Sequence, residues 1–152
     1  MPDQRQQANP KLTMSTFVKL MRATESVSSD VHRHLAQHGL TISQFGILEA
    51  LYHLGPMPQK KVARKILRSP GNITMVVDNL EKRGLVTRQK NPDDRRSFII
   101  ELTGRGEECI ASIFPDHADR ITSRMSRLNA DELEQLGSLL RKLGTAQPGD
   151  RQ

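Results

Sequence analysis

SPGNITMVVDNLEKRGLVTRQKNPDDRRSFIIEL, residues 69–102, is the stretch whose reading decides the fold. Ile73, Val76, Val77 and Leu80 recur at i, i+3, i+4 and i+7, the spacing of one buried helical face. Pro70 suits the first helical position, where its missing N–H is harmless, and Ser69 before it is the expected N-cap. After Gly84 the period changes. Phe98, Ile100 and Leu102 alternate with Ser97, Ile99 and Glu101 as in a half-buried strand, pairing back onto residues 85–90. NPDDRR, residues 91–96, forms the tip. A short helix followed by a hairpin tipped with arginines suggests a winged module that grips nucleic acid.

Charge points the same way. Residues 56–106 carry twelve Lys/Arg against five Asp/Glu, whereas the whole chain of 152 residues carries 23 against 17. The entire excess of +6 therefore arises in the middle third. A basic region of this kind fits a phosphate-binding surface. The alternative is a solvated basic face without a partner.

Outward from this stretch, residues 59–67 form a helix that buries Val62, Ala63 and Ile66, with Leu67 as a further inward position. A tight turn through Arg68-Ser69-Pro70 joins it to the next helix. Two short helices so joined form a helix-turn-helix, whose second helix can enter the major groove. Upstream, GPMP (residues 55–58) is an extended connector, preceded by a helix over 43–54 that Thr41 or Ser43 caps. A long helix over about 13–37 carries Phe17, Leu20, Met21, Val27, Val31 and Leu35, and Gly39 stops it. Downstream, Thr103 caps a helix reaching about Leu128, which Pro115 should kink. Asn129 and Glu132 make a capping-box pattern for a last helix lined by Leu133, Leu136, Leu140 and Leu143.

The fold class is therefore mainly α with a small β-hairpin wing: a winged helix-turn-helix flanked by terminal helices. The expected divisions are an arm (1–12), a dimerisation helix (13–39), the DNA-binding domain (40–102), further dimerisation helices (103–144) and a tail (145–152). The terminal helices are too apolar on one face for a monomer whose hydrophobic fraction is 36%. The simplest solution is a symmetric homodimer, with half-sites ~34–36 Å apart on a palindromic operator. No apolar run approaches the roughly 18 residues of a membrane span and no signal peptide is evident, so a cytoplasmic location is expected.

Three pieces, LTISQFGILEAL (40–51), PGNITMVVDNLEKRGLVTR (70–88) and NPDDRRSFIIELTGRGEE (91–108), resemble the MarR family of winged helix-turn-helix regulators. The resemblance implies a homodimeric repressor of transcription bound to double-stranded DNA. It implies that Ser69, Gly71, Asn72, Thr74 and Met75 meet bases or nearby phosphates in the major groove. Asn can read adenine, and Thr a base edge or thymine methyl; capping of the helix start is the other role open to Asn72 and Thr74. No arginine lies in the first turn and a half, which favours indirect readout. Arg95 matches the wing residue that enters the minor groove, held by a salt bridge from Asp93. Arg96 either contacts phosphate or pairs with Asp94. Lys60, Lys61, Arg64, Lys65, Arg68, Arg88 and Lys90 are phosphate candidates.

The resemblance also implies a small aromatic or phenolic effector, with Phe17, Met21, Phe45, Leu48 and Phe114 as lining residues. Regulators of quinone, phenol or drug detoxification are the nearest in flavour. The competing reading of those five positions is ordinary core, and that of the whole chain is a sequence-indifferent or architectural DNA-binding protein without an effector. No nucleophile–base pair or phosphate-binding glycine loop stands out, so no enzyme activity and no cofactor are expected. The one cysteine, Cys109, reads as a small buried hydrophobe. No cysteine or carboxylate cluster supports the histidines as metal ligands. His34 and His38 are expected on a polar surface near a helix end, and His117 in a helix interface.

Overall fold

The computed structural model describes residues 9–66 and 70–144. The elements are, in chain order, α1 (Pro10–Gln37), α2 (Ile42–Leu54), β1 (Met57–Pro58), α3 (Gln59–Lys65), α4 (Pro70–Lys82), β2 (Val86–Asn91), β3 (Asp94–Leu102), α5 (Gly104–Met125) and α6 (Ala130–Gly144). The expected cap Ser69, the turn residue Arg68 and the inward position Leu67 lie outside the described residues.

Local chemistry accounts for most boundaries. Asn9 caps α1 by accepting the Lys11 N–H, and Pro10 occupies the first turn. The helix thus begins three residues before the expected start, and the last part of the segment assigned as an arm is helical. Thr41 and Gln44 cap each other reciprocally at the start of α2. Asn129 and Glu132 do the same for α6. Gly39 (φ 68°) and Gly84 (φ 70°) adopt the left-handed conformation that ends α1 and α4. At both ends the next N–H returns to a carbonyl five residues back, Leu40 to Leu35 and Leu85 to Leu80, each at 3.0 Å.

The sheet has three antiparallel strands in the order β1-β3-β2. β1 was expected only as an extended connector. It pairs because β3 has a free edge at Ile99 and Ile100, opposite Pro58 and Met57. That pairing ties the base of the hairpin to the start of α3. Beyond β1 the inward face of β3 loses its cover: Ile100 is fully buried, whereas Phe98, expected on the same face, is 43% exposed.

One core joins the elements. Leu35 from the end of α1, Phe45, Ile47, Leu48 and Leu51 from α2, and Val62 from α3 meet Ile73, Val77 and Leu80 from α4. Ile100 from β3 and Ile110 and Ile113 from α5 complete it. Gly106 sets the approach of α5 to the β2 base, for a Cβ there would stand 1.9 Å from the Leu85 carbonyl oxygen. Most of the other exposed large apolar side chains lie on the first and last helices. Leu12, Met14, Phe17, Val18 and Met21 on α1, and Leu139, Leu140 and Leu143 on α6, are all exposed. No described helix is long and apolar enough to cross a membrane.

Candidate nucleic-acid interface

α4 is anchored by its buried face and by polar ties on its flanks. Gln44 Nε2 on α2 donates to Asn79 Oδ1 at 2.7 Å, and Arg83 donates to the Gly39 carbonyl at 2.9 Å. Gln59 Nε2, at the first residue of α3, donates to Thr74 Oγ1 at 3.0 Å. The early turns of α4 are left open to solvent. Thr74 and Met75 are exposed, Met75 at 67%, while Asn72 is half-buried and Gly71 lies in the first turn. An exposed methionine of that degree has no role in the fold of the single chain.

A groove of about 490 Å³ runs between α3, α4 and the hairpin, and it brings Lys60, Thr74 and Arg96 together with Gln59 and Phe98. Lys61, Arg64 and Lys65 are exposed on α3, and Arg95 and Lys90 on the hairpin. None of these cations has an ion-pair partner among the described residues.

The hairpin tip is built differently from expectation. No ion pair joins Asp93 to Arg95 among the described residues. The turn is tightened instead by side chains that accept backbone N–H groups, Asn91 Oδ1 from Asp93 and Asp94 Oδ1 from Arg96, both at 3.0 Å. Asp94 therefore holds the Arg96 main chain, and neither guanidinium group has an ion-pair partner among the described residues. Such Asx turns form because a short carboxylate or amide reaches two residues along its own chain.

Arg88 is a correction to the list of phosphate candidates. Its side chain is only 16% exposed and pairs with Asp78 and Glu81 of α4, at 2.9 Å for Glu81. A second nitrogen donates to the Thr74 carbonyl at 3.3 Å. With its donors so engaged, it braces the hairpin against α4 rather than facing phosphate.

The five expected ligand-lining residues do not converge in the single chain. Phe45 and Leu48 are core, Phe17 and Met21 are exposed on α1, and half-buried Phe114 meets His53 edge-on at 4.7 Å between ring centres. An apolar cavity lies elsewhere. About 530 Å³ opens between α1, α5 and α6, bounded by Leu20, Val27, Met125, Leu128, Leu136 and Leu140 with Arg124 and Arg127 at hand.

The histidines also depart from expectation. His38 is exposed, but His34 is buried because α5 packs over this end of α1. Its Nδ1 faces Asp116 at 3.3 Å, and Arg120 ties that carboxylate to Asp30 of α1. His117, buried as expected, packs on Phe45 at 4.2 Å. Burial and the neighbouring His34 hold its pKa below the ordinary value. Among the described residues no group of three or more His, Cys, Asp or Glu could hold a metal ion. Cys109 is half-buried against the core.

Residues 40–98 match the model of the MarR family. Over 132 residues the chain is 37% identical to the transcriptional regulator MhqR of Bacillus subtilis (strain 168), a span of 87% of this chain and 91% of MhqR. A crystal structure of NadR in complex with 4-hydroxyphenylacetate is 25% identical, with a TM-score of 0.73 over 97% of this chain and all of that one. Sco3205 of Streptomyces coelicolor, crystallised in complex with DNA, shares the fold at a TM-score of 0.85, with 22% identity, 93% of this chain and 92% of that one covered. With an exposed α4 face, a hairpin tipped by exposed arginines, and kinship running through nearly the whole length of a relative, the chain belongs to the MarR family of winged-helix transcriptional regulators.

Proposed function

We propose that the chain is a homodimeric, sequence-specific repressor that a small aromatic or phenolic ligand releases from a palindromic operator. The observation that carries the reading is the division of labour among the basic side chains. Arg83 and Arg88 are tied to the protein, whereas Lys60 and Arg96 line the groove at α4, Lys61, Arg64 and Arg95 are exposed, and none of the five has an ion-pair partner among the described residues. In this reading Ser69, Gly71, Asn72, Thr74 and Met75 meet the major groove and Arg95 the minor groove.

Dimerisation is supported by the apolar residues that α1 and α6 leave exposed, more than a small monomer commonly displays. A small ligand is supported by the NadR complex with 4-hydroxyphenylacetate. A ligand shifts an equilibrium only by its differential affinity, so the effector must prefer a dimer that cannot span both half-sites.

The test is a competition between operator and random duplex. A specific regulator favours its operator by ~10³-fold or more, and adding a phenolic carboxylate such as 4-hydroxyphenylacetate should narrow that ratio. Equal affinity for both duplexes means an architectural DNA-binding protein instead.

A further inference from the structure

Met75 stands on the side of α4 that faces away from the core. At about 100° per residue, it lies about 170° round the helix from the mean direction of Ile73, Val77 and Leu80. Exposure agrees with the angle: 67% for Met75, against 1% or less for those three. The polar side chains that flank it are engaged by other elements. Thr74 Oγ1 accepts from Gln59 of α3 at 3.0 Å, Asp78 pairs with Arg88 of β2, and Asn79 Oδ1 accepts from Gln44 of α2 at 2.7 Å. Three neighbours are thus tied to the body of the module, with the thioether at the crest of the outward face.

Met75 lies about one and a half turns into α4, in the half of a recognition helix that contacts base edges. A thioether donates no hydrogen bond and accepts only weakly. Against the polar atoms of a base edge it displaces water and replaces few of the bonds that water made. One feature of the major groove is apolar, the C5 methyl of thymine, and an apolar side chain gains by covering it.

We infer that Met75 is a specificity-determining residue that reads the C5 methyl of a pyrimidine and so selects thymine at one position of each half-site. This rests on the DNA-binding role proposed for α4. The preference is for the methyl rather than for the hydrogen-bonding pattern of the base. A cytosine methylated at C5 presents the same group at the same carbon, so methylation there strengthens binding.

The test uses the full-length protein and an operator that it selects from a randomised library. Each thymine of one half-site is replaced in turn by uracil, which lacks only the methyl. At one thymine the wild type should lose about fourfold in affinity, the worth of one buried methyl-sized group. With a C·G pair at that position, methylating the cytosine at C5 should raise affinity by a similar factor. Met75→Ala should bind the thymine and uracil duplexes equally there, and Met75→Leu should keep the difference. Because the side chain is exposed, neither substitution disturbs the core. A wild type indifferent to uracil at every position, or to methylation of the cytosine, overturns the methyl reading and leaves the regulator reading standing. So does a Met75→Ala protein that keeps every wild-type loss. A library with no enriched sequence overturns the regulator reading itself.

Discussion

Arg88 on β2, the outer strand of the hairpin, and Asp78 on α4 form an ion pair that locks the wing to the helix beside it. Glu81, one turn further along α4, is the second acceptor, and the carbonyl of Thr74 the third. One guanidinium therefore fixes the angle between the two parts that have to meet DNA together.

Replacing Arg88 by Met keeps the aliphatic stem and removes these bonds. The expected loss is about 1–3 kcal/mol of stability, the worth of hydrogen bonds to charged groups. Operator affinity should fall while the salt dependence of binding stays at its wild-type slope, because Arg88 neutralises no phosphate. A shallower slope would return Arg88 to the DNA-facing set.

Arg95→Ala makes the opposite prediction. Binding to all duplexes should weaken, and the slope of log affinity against log salt should drop by ~0.9 for each phosphate that Arg95 neutralises in the wild type. Asn72→Ala should alter the ranking of sites more than the slope. Titrations at several salt concentrations decide both, and an Arg95→Ala protein that binds like wild type refutes the wing assignment.

Gly106→Ala tests the seam between α5 and the hairpin. The added Cβ would meet the Leu85 carbonyl carbon at 2.9 Å and its oxygen closer still, and both are backbone atoms that cannot rotate aside. Thr103 compounds this, since it bonds the Gly84 carbonyl at 2.7 Å and the Leu85 carbonyl at 3.1 Å. Destabilisation of more than about 3 kcal/mol is expected, at the severe end for overpacking. Urea unfolding measures it, and Gly104→Ala, which meets nothing within 4 Å, is the control.

Mild acid should loosen the junction of α1, α2 and α5. His117 has a folded pKa below its ordinary value of about 6.5, so the unfolded chain binds the proton first. Stability is complete above about pH 6.5 and declines as pH falls towards the folded value, where the loss levels off. The groups facing His117 are Phe45 and His34, and His34 in turn faces Asp116. Melting temperatures at pH 7.5 and 5.5 should diverge more for wild type than for His117→Phe. Equal divergence would place the acid sensitivity elsewhere.

Charges placed on the exposed apolar stripes should separate the protomers without unfolding them. Phe17→Glu and Leu143→Glu alter side chains that are 54% and 69% exposed in the single chain, so neither disturbs its core. Sedimentation should show a monomer with the wild-type circular dichroism spectrum. A dimer that survives the pair moves the subunit interface away from α1 and α6.

The parts of this fold that were legible in the sequence are those with a local cause. The α4 stripe of Ile73, Val77 and Leu80, the caps at Thr41 and Asn129, and the stop at Gly39 each follow from residues within one or two turns. β1 was not legible, because two residues that include a proline carry no period and pair only through the distant Ile99 and Ile100. The same holds for Arg88. Charge counting registers a cation but not its neighbours, although Asp78 and Glu81 at i, i+3 on α4 were a signal of an acceptor pair awaiting one. His34 misled for a related reason: its burial is conferred by α5, far away in sequence.

α1 is one unbroken rod of 28 residues, about 42 Å long at 1.5 Å per residue. Only its last turn, at His34 and Leu35, is buried in the core. Leverage follows from that placement. A rotation of about 5° at this buried end carries the far end through ~4 Å, more than the ~3.4 Å that one base pair occupies along the DNA axis. In a dimer held by its outer arms, the sweep belongs to the winged modules instead, and a pivot too small to disturb the core puts a half-site one base pair out of step.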